Sequence, residues 1–307
     1  MNLKKPKFWD YKNANIYAYL LYPFSIVIQL IKFFSIKRPK SFKLKTICVG
    51  NIYLGGTGKT SLSIKIKKIL EERKIKSCFI KKFYNEQTDE QILLKNNGKV
   101  FLSKSRIEAL KQAENGNYDV AILDDGLQDK SIHYDVSLVC FNNINWIGNG
   151  LTIPAGPLRE DIGNLKKYNH IFLNGNMENL DYLKQNILKI NSRINIHIGK
   201  YLPTNLDEFS KEEEYLIFSG IGNHKTFVSM MKNYGFRIVK DLEFPDHYKY
   251  TNRDIKKILE EANKFNYKII TTEKDYLRLE HINTNQINFI KSELQIIDED
   301  NFIKAII

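Results

Sequence analysis

The stretch from Thr46 to Ser61 constrains this chain more than any other. The apolar run Thr46-Ile-Cys-Val49 enters a glycine-rich turn, Gly55-Gly56-Thr57-Gly58, that ends in Lys59-Thr60-Ser61. A strand must stop there and restart as a helix. Glycines let successive backbone N–H groups converge on phosphate oxygens, and a helix N-terminus adds the positive end of its dipole. In such a cradle Lys59 reaches the β- and γ-phosphates and the Thr60 hydroxyl ligates Mg²⁺. Gly55, Gly56, Thr57, Gly58, Lys59, Thr60 and Ser61 are therefore expected to hold a nucleoside triphosphate. The strict pattern asks for glycine where this chain has Tyr53, which leaves Gly55 and Gly56 to supply the flexible turn.

Downstream, helical and strand-like runs alternate. Leu62, Ile66, Ile69 and Leu70 line one face of a helix over 61–73, followed by strand candidates at Ser77–Ile80, Lys99–Leu102, Val120–Leu123, Val136–Phe141 and His170–Leu173, with a helix at Arg106–Glu114. Continuous apolar strands separated by helices imply a parallel sheet covered on both faces, with ligands at the strands' carboxyl ends. From about Asn179 the pattern changes. Strand-like pieces at Ile194–Ile198, Tyr215–Phe218, Phe236–Lys240 and Tyr267–Thr272, with a helix at Asn252–Phe265, predict a smaller α/β unit. The Gly220-Ile-Gly222 turn is a weak signal for a second phosphate site, and a plain strand-to-helix connection is the favoured reading. The predicted fold class is α/β, a P-loop NTPase-like parallel-sheet domain over 41–190 with a second domain over 191–307 and an N-terminal segment over 1–40.

Acids fall at the strand ends. Asp124-Asp125-Gly126-Leu127-Gln128 follows the run at Val120–Leu123, where a carboxylate can hold the Mg²⁺ that bridges nucleotide phosphates. A simple Asp-Asp-Gly turn is the alternative, and the cradle in the same domain favours the metal role for Asp124 and Asp125 with Thr60. Asp89-Glu90 follows the strand ending at Ile80 and is expected on the same edge. One of these acids is a candidate base for an acceptor hydroxyl, although acids at a helix start also serve as dipole-complementing caps. The Gly/Pro-rich run Ile147–Glu160 ends in Arg159-Glu160 at the start of an expected helix. There Arg159 either contacts phosphate or pairs with its neighbour. Phe244–Tyr248 and Thr271–Asp275 put polar residues at strand ends, with His247 placed to orient or relay a proton for an acid.

The most apolar segment is Ile16–Ile36, interrupted by Pro23, Gln29 and Lys32. Basic residues flank it, with Lys4, Lys5, Lys7 and Lys12 before and Lys37, Arg38, Lys40, Lys43 and Lys45 after. It is either a helix in the headgroup region of an anionic membrane or one packed on the core. The net charge of +12 suits an anionic partner without choosing among nucleotide, nucleic acid and membrane. No aromatic-basic nucleic-acid module accompanies it, so nucleic acid is not expected as a partner. Cys48, Cys78 and Cys140 lie singly in apolar runs, as reduced buried thiols of a cytoplasmic protein do, and the six histidines lack zinc-site spacing.

Taken together, Val49-Gly-Asn51 leading into Gly55–Thr60, Asp124–Gln128, Gly148-Asn-Gly150, Pro154–Glu160, Pro245–Tyr248 and Thr271–Asp275 resemble the tetraacyldisaccharide 4′-kinase family of lipid A biosynthesis. The resemblance spans roughly residues 8 to 280. It implies two α/β domains, an N-terminal membrane-binding helix, and transfer of the ATP γ-phosphate to the 4′-hydroxyl of a tetraacyl disaccharide 1-phosphate. The reaction would run at the cytoplasmic face of the bacterial inner membrane, with ATP and Mg²⁺ as cofactors and no obligate protein partner. Carried over by motif, Lys59 and Thr60 serve phosphates and metal, Asp124 and Asp125 metal and nucleotide, and Gln128, Arg159 and Glu160 the active-site face. Asp89, with Glu90 beside it, corresponds to the family's catalytic acid, and His247 to its partner. Two places depart from the family: Lys81-Lys-Phe-Tyr-Asn85 stands where members carry Ser-Arg-Gly-Tyr-Gly before a longer loop, and Asp129 stands where they favour His. A nucleotide-hydrolysing switch or assembly factor is the alternative class.

Overall fold

Leu62, Ile66, Ile69 and Leu70 all reach full burial, which is why the run after the glycine turn folds as a helix against a sheet. The computed structural model describes residues 5–34, 38–83, 88–175, 177–279, 282 and 285–307; Lys4, Ile36, Lys37, Tyr84 and Asn85, singled out above, lie outside them. In chain order the elements are α1 (Ile16–Phe34), β1 (Lys45–Gly50), α2 (Lys59–Glu72), β2 (Ser77–Lys82), α3 (Thr88–Asn96), β3 (Val100–Ser103), α4 (Arg106–Asn115), β4 (Val120–Asp124), β5 (Val136–Asn142) and β6 (His170–Asn174). There follow α5 (Leu180–Ile190), β7 (Asn195–Pro203), β8 (Glu214–Ser219), α6 (His224–Asn233), β9 (Arg237–Glu243), α7 (Asn252–Phe265), β10 (Lys268–Thr272), α8 (Glu273–Leu277), β11 (Ile287–Ile290), β12 (Ser292–Ile296) and α9 (Glu299–Ile306).

Two compact units emerge. The first holds the described residues up to Phe83 with Leu94–Gly199 and Ile296–Ile307; the second holds 88–93 with Lys200–Gln295. The larger sheet runs β12-β7-β6-β5-β1-β4-β2-β3, and its pairings from β7 through β3 are parallel. Cys48, Val139, Leu123 and Ile80 are among the buried side chains of its core. The registers position the chemistry. Val49 pairs with Asp124 across β1 and β4, and Ile80 pairs with Leu123 across β2 and β4, so Lys81 and Asp124 lie near the carboxyl ends of neighbouring strands beside the glycine turn.

The smaller sheet, β11-β10-β8-β9, is also parallel. Its α7 starts on a capping box, with Thr251 and Asp254 satisfying each other's backbone N–H groups. Two expectations change. The strand at Ile194–Ile198 belongs to β7 and pairs with β6 of the larger sheet, because the amphipathic α5 carries the chain back across it. The helix expected after Glu160 is a 3₁₀ turn at Ile162–Lys167, started by Asp161 accepting from the Gly163 N–H, and Gly163 inside it disfavours a longer α-helix.

Helix α1 is long and apolar enough to cross a membrane by length and composition, and it is mostly exposed. Only Ala18 and Ser25 of its side chains are buried. The Ser25 hydroxyl donates to the Thr152 carbonyl (2.8 Å) and accepts from the Ala155 N–H (3.1 Å), and Lys32 donates to the Arg159 carbonyl (2.9 Å). Ahead of α1, the Trp9 indole donates to the Pro154 carbonyl, and the Asn149 N–H donates to the Trp9 carbonyl. A Cβ at Gly148 (φ +58°) would run into that same carbonyl.

Candidate active site

In the first unit, Gly58 (φ +76°) occupies the left-handed conformation that ends the turn and starts α2 at Lys59. The turn is braced from within. Asn51, fully buried, donates to the Gly55 carbonyl (3.2 Å) and to the Thr57 hydroxyl (2.9 Å), while Asn174 donates to the Thr57 carbonyl (2.7 Å). Tyr53 explains why glycine is dispensable at its position. Its backbone stays out of the left-handed region, and its buried side chain turns to the N-terminal segment, where the hydroxyl donates to Asp10 (2.7 Å).

The acids and cations of this unit interlock. The Thr60 hydroxyl donates to Asp124 Oδ2 (3.3 Å), and Lys81 Nζ donates to the same oxygen (2.6 Å). Lys81 is 2% exposed, a burial that a lysine tolerates only with a partner of opposite charge. Asp125 (φ +61°) accepts from Arg159 through both oxygens (2.8 and 3.2 Å) and lies 3.9 Å from Lys59 Nζ. Burial would raise the Asp125 carboxyl, but the charges of Lys59 and Arg159 outweigh it and hold the group below its ordinary range. Gln128 accepts from Arg159 (3.0 Å) and donates to the Asn51 carbonyl (2.9 Å) and to Glu160 (3.4 Å). The Arg159 N–H binds the Ile52 carbonyl and the Leu54 N–H the Pro157 carbonyl, so the Gly/Pro run is laced onto the cradle. Asp129 closes a local turn, accepting from Ser131 and Arg106.

These donors suit a hard cation. Asp124 Oδ1 is buried with no hydrogen-bond partner among the described residues, and an orphaned carboxylate oxygen next to a threonine hydroxyl is the donor set that Mg²⁺ takes.

In the second unit, Asp89 and Glu90 open α3 and group with residues far along the chain. His247 Nδ1 lies 3.2 Å from Asp89 Oδ1, and Arg278 donates to Asp89 Oδ2 (2.6 Å). Glu90 accepts from Lys274 (3.5 Å), and its carboxylate lies 4.0 Å from His247 Nε2. Burial would raise Asp89, but the His247 hydrogen bond and the charges of Arg278 and Lys274 prevail and hold it well below the usual carboxylate range. At His247 burial opposes protonation. The Asp89 hydrogen bond and the negative charges of Asp246, Asp89 and Glu90 overcome it and raise the imidazole above its ordinary value. The Gly220 turn is structural, its N–H donating to Asp275 (2.9 Å) and its carbonyl accepting from Arg278 (2.7 Å).

Thus Lys59, Thr60, Asp124, Asp125, Gln128, Arg159 and Glu160 come together in the first unit, and Asp89, Glu90 and His247 in the second. Sequence reasoning passed over Lys81, Arg106 and Arg278. Lys81 carried a signal, a cation closing an apolar strand; Arg278, alone past a short helix, carried none.

The family described as tetraacyldisaccharide-1-P 4′-kinase matches residues 17–98 and 81–307. A tetraacyldisaccharide 4′-kinase of Pelagibacter ubique (strain HTCC1062) is 59% identical over 308 residues, covering 100% of this chain and 98% of its own. One from Rickettsia canadensis (strain McKiel) is 36% identical over 307 residues, covering 93% and 91%. Among solved structures, the "apo" form of LpxK from Aquifex aeolicus in complex with ATP aligns with a TM-score of 0.65 at 20% identity, over 94% of this chain and 96% of that one. At that identity the likeness shows a shared fold.

Proposed function

This chain belongs to the tetraacyldisaccharide-1-P 4′-kinase family, and from that premise we propose how its residues divide the work of moving the ATP γ-phosphate to the 4′-hydroxyl of a tetraacyl disaccharide 1-phosphate. Phosphoryl transfer asks a protein mainly for positioning and charge stabilisation. In this reading the turn from Gly55 to Ser61 cradles the phosphates, and Lys59 leaves Asp125 to meet the β- and γ-oxygens. Thr60 and Asp124 hold Mg²⁺, with Asp125 beside them. Bound there, the metal screens the charge that builds on the transferring group. Arg159, set by Asp125 and by Gln128, which donates in turn to Glu160, faces the nucleotide. Asp89, paired with His247, takes the acceptor hydroxyl proton as the new O–P bond forms and ADP leaves.

The observation that carries the reading is the orphaned Asp124 Oδ1, buried beside Thr60 at the foot of the glycine turn. The N-terminal helix completes it. Gripped through Ser25 and Lys32, α1 lies against the first unit with Leu20, Phe24, Val27 and Ile31 exposed, a form suited to the cytoplasmic surface of the inner membrane where a glycolipid acceptor resides. The test is direct. Purified full-length protein given γ-labelled ATP, Mg²⁺ and a tetraacyl disaccharide monophosphate in mixed micelles is expected to yield a labelled bisphosphorylated lipid. Hydrolysis of ATP with no labelled lipid would place the chain among switch NTPases instead.

A further inference from the structure

Asp89 has two partners, one at each carboxylate oxygen. Oδ1 faces His247, while Oδ2 accepts from Nη2 of Arg278 at 2.6 Å. The guanidinium is itself anchored. Nη1 donates to Asp275 Oδ1 (2.8 Å) and to the Gly220 carbonyl (2.7 Å). Asp275 is fully buried and accepts from the Gly220 N–H, from the Tyr250 hydroxyl (2.9 Å) and from the Thr272 hydroxyl (2.6 Å), which also caps α8. One end of Arg278 is thus fixed to the β8 turn and the start of α8. The other reaches a carboxylate 189 residues away in sequence.

We propose that Arg278 is a positioning residue of the transfer reaction: its fork holds Asp89 by Oδ2 and keeps Oδ1 turned to His247. The proposal rests on the reading of Asp89 as proton acceptor. The fork geometry matters because a guanidinium binds two acceptors in one plane, whereas an ammonium is a single point charge. Without Arg278 the Asp89 carboxylate is held at Oδ1 alone, by His247, and a misplacement of about 1 Å in a catalytic group can cost on the order of 100-fold in rate. Charge gives a second consequence. The groups facing the pair are Glu90 on α3, Asp246 in the loop before His247, and Lys274 and Arg278 from the α8 segment. Removing the Arg278 cation leaves His247 among Asp89, Glu90 and Asp246 with less opposing charge. Its protonation then extends to higher pH, and a pair that must receive a proton loses activity over that range.

The experiment compares wild type, Arg278→Gln and Arg278→Lys as full-length proteins, each checked for folding by circular dichroism. Arg278→Gln is expected to lower kcat on the order of 10- to 100-fold with the KM for ATP changed less than about twofold. The acid limb of its kcat–pH profile, and the ¹⁵N-detected titration of the His247 ring, should both move to higher pH. Arg278→Lys should restore both midpoints while recovering only part of kcat. An Arg278→Gln profile that overlays wild type after scaling, with His247 titrating unchanged, would overturn the proposal. Asp89→Asn, measured alongside, separates the two ideas: full turnover there removes Asp89 as acceptor, whereas an inactive Asp89→Asn with an unshifted Arg278→Gln rejects the positioning role alone.

Discussion

The phosphate cradle and the Asp89 cluster differ in how the chain assembles them. The cradle is one strand, one turn and one helix start in unbroken sequence, from β1 through Lys59 and Thr60. The cluster is drawn from segments 158 and 189 residues apart. They differ in charge as well. Beside the cradle, Lys59, Lys81 and Arg159 pair with Asp124 and Asp125, so that cations gather about the glycine turn. In the cluster Asp89, Glu90, Asp246 and Asp275 outnumber Lys274 and Arg278, and the acids around His247 favour its protonated form. On the proposed division, with phosphate at the cradle and a proton at the cluster, mutations in the two should fail in different kinetic terms.

The largest effect tests the cradle. Lys59→Ala is expected to lower turnover on the order of 1000-fold and to weaken ATP binding, with the far-ultraviolet spectrum unchanged. Near-normal lipid phosphorylation by this variant would break the comparison outright. Next, Asp89→Ala and His247→Ala should each lower kcat on the order of 100-fold while ATP affinity, read by fluorescent nucleotide titration, stays level. If the two act as a unit, the double variant loses far less than the product of the single losses. Glu90→Gln belongs beside them, since a large kcat loss there with an active Asp89→Asn moves the base by one position. The smallest effect is the sharpest. Asp124→Asn should raise the Mg²⁺ needed for half-maximal turnover on the order of 10-fold, and the Mg²⁺ dependence of nucleotide binding with it. Unchanged Mg²⁺ dependence would take the metal away from Asp124.

How much of this the sequence discloses follows from the same difference. The cradle is legible because each requirement, apolar strand, glycine, lysine and hydroxyl, falls at fixed spacing along one segment. Asp124 is legible as a strand-end acid, because the apolar run before it fixes where β4 stops, although a plain Asp-Asp-Gly turn reads the same way. Lys81 is half legible, since its contact with Asp124 depends on the β2–β4 register and single strands do not display their neighbours. Arg278 is silent, because one arginine past a five-residue helix looks like any solvated cation until the fold brings α3 to it. The Asp89–His247 pairing came from family resemblance rather than from spacing. The 3.2 Å approach gives that resemblance a physical form.

The three cysteines lie on β1, β2 and β5, all in the first unit, and all are free and buried. Burial pushes the Cys78 thiol up to about 12 and drives Cys48 and Cys140 higher still, so none offers a thiolate to reagents in the folded state. The chain therefore carries its own clock for sheet opening. Alkylation runs only as fast as β1, β2 or β5 is uncovered, while the second unit, which has no thiol, can open and close without being counted.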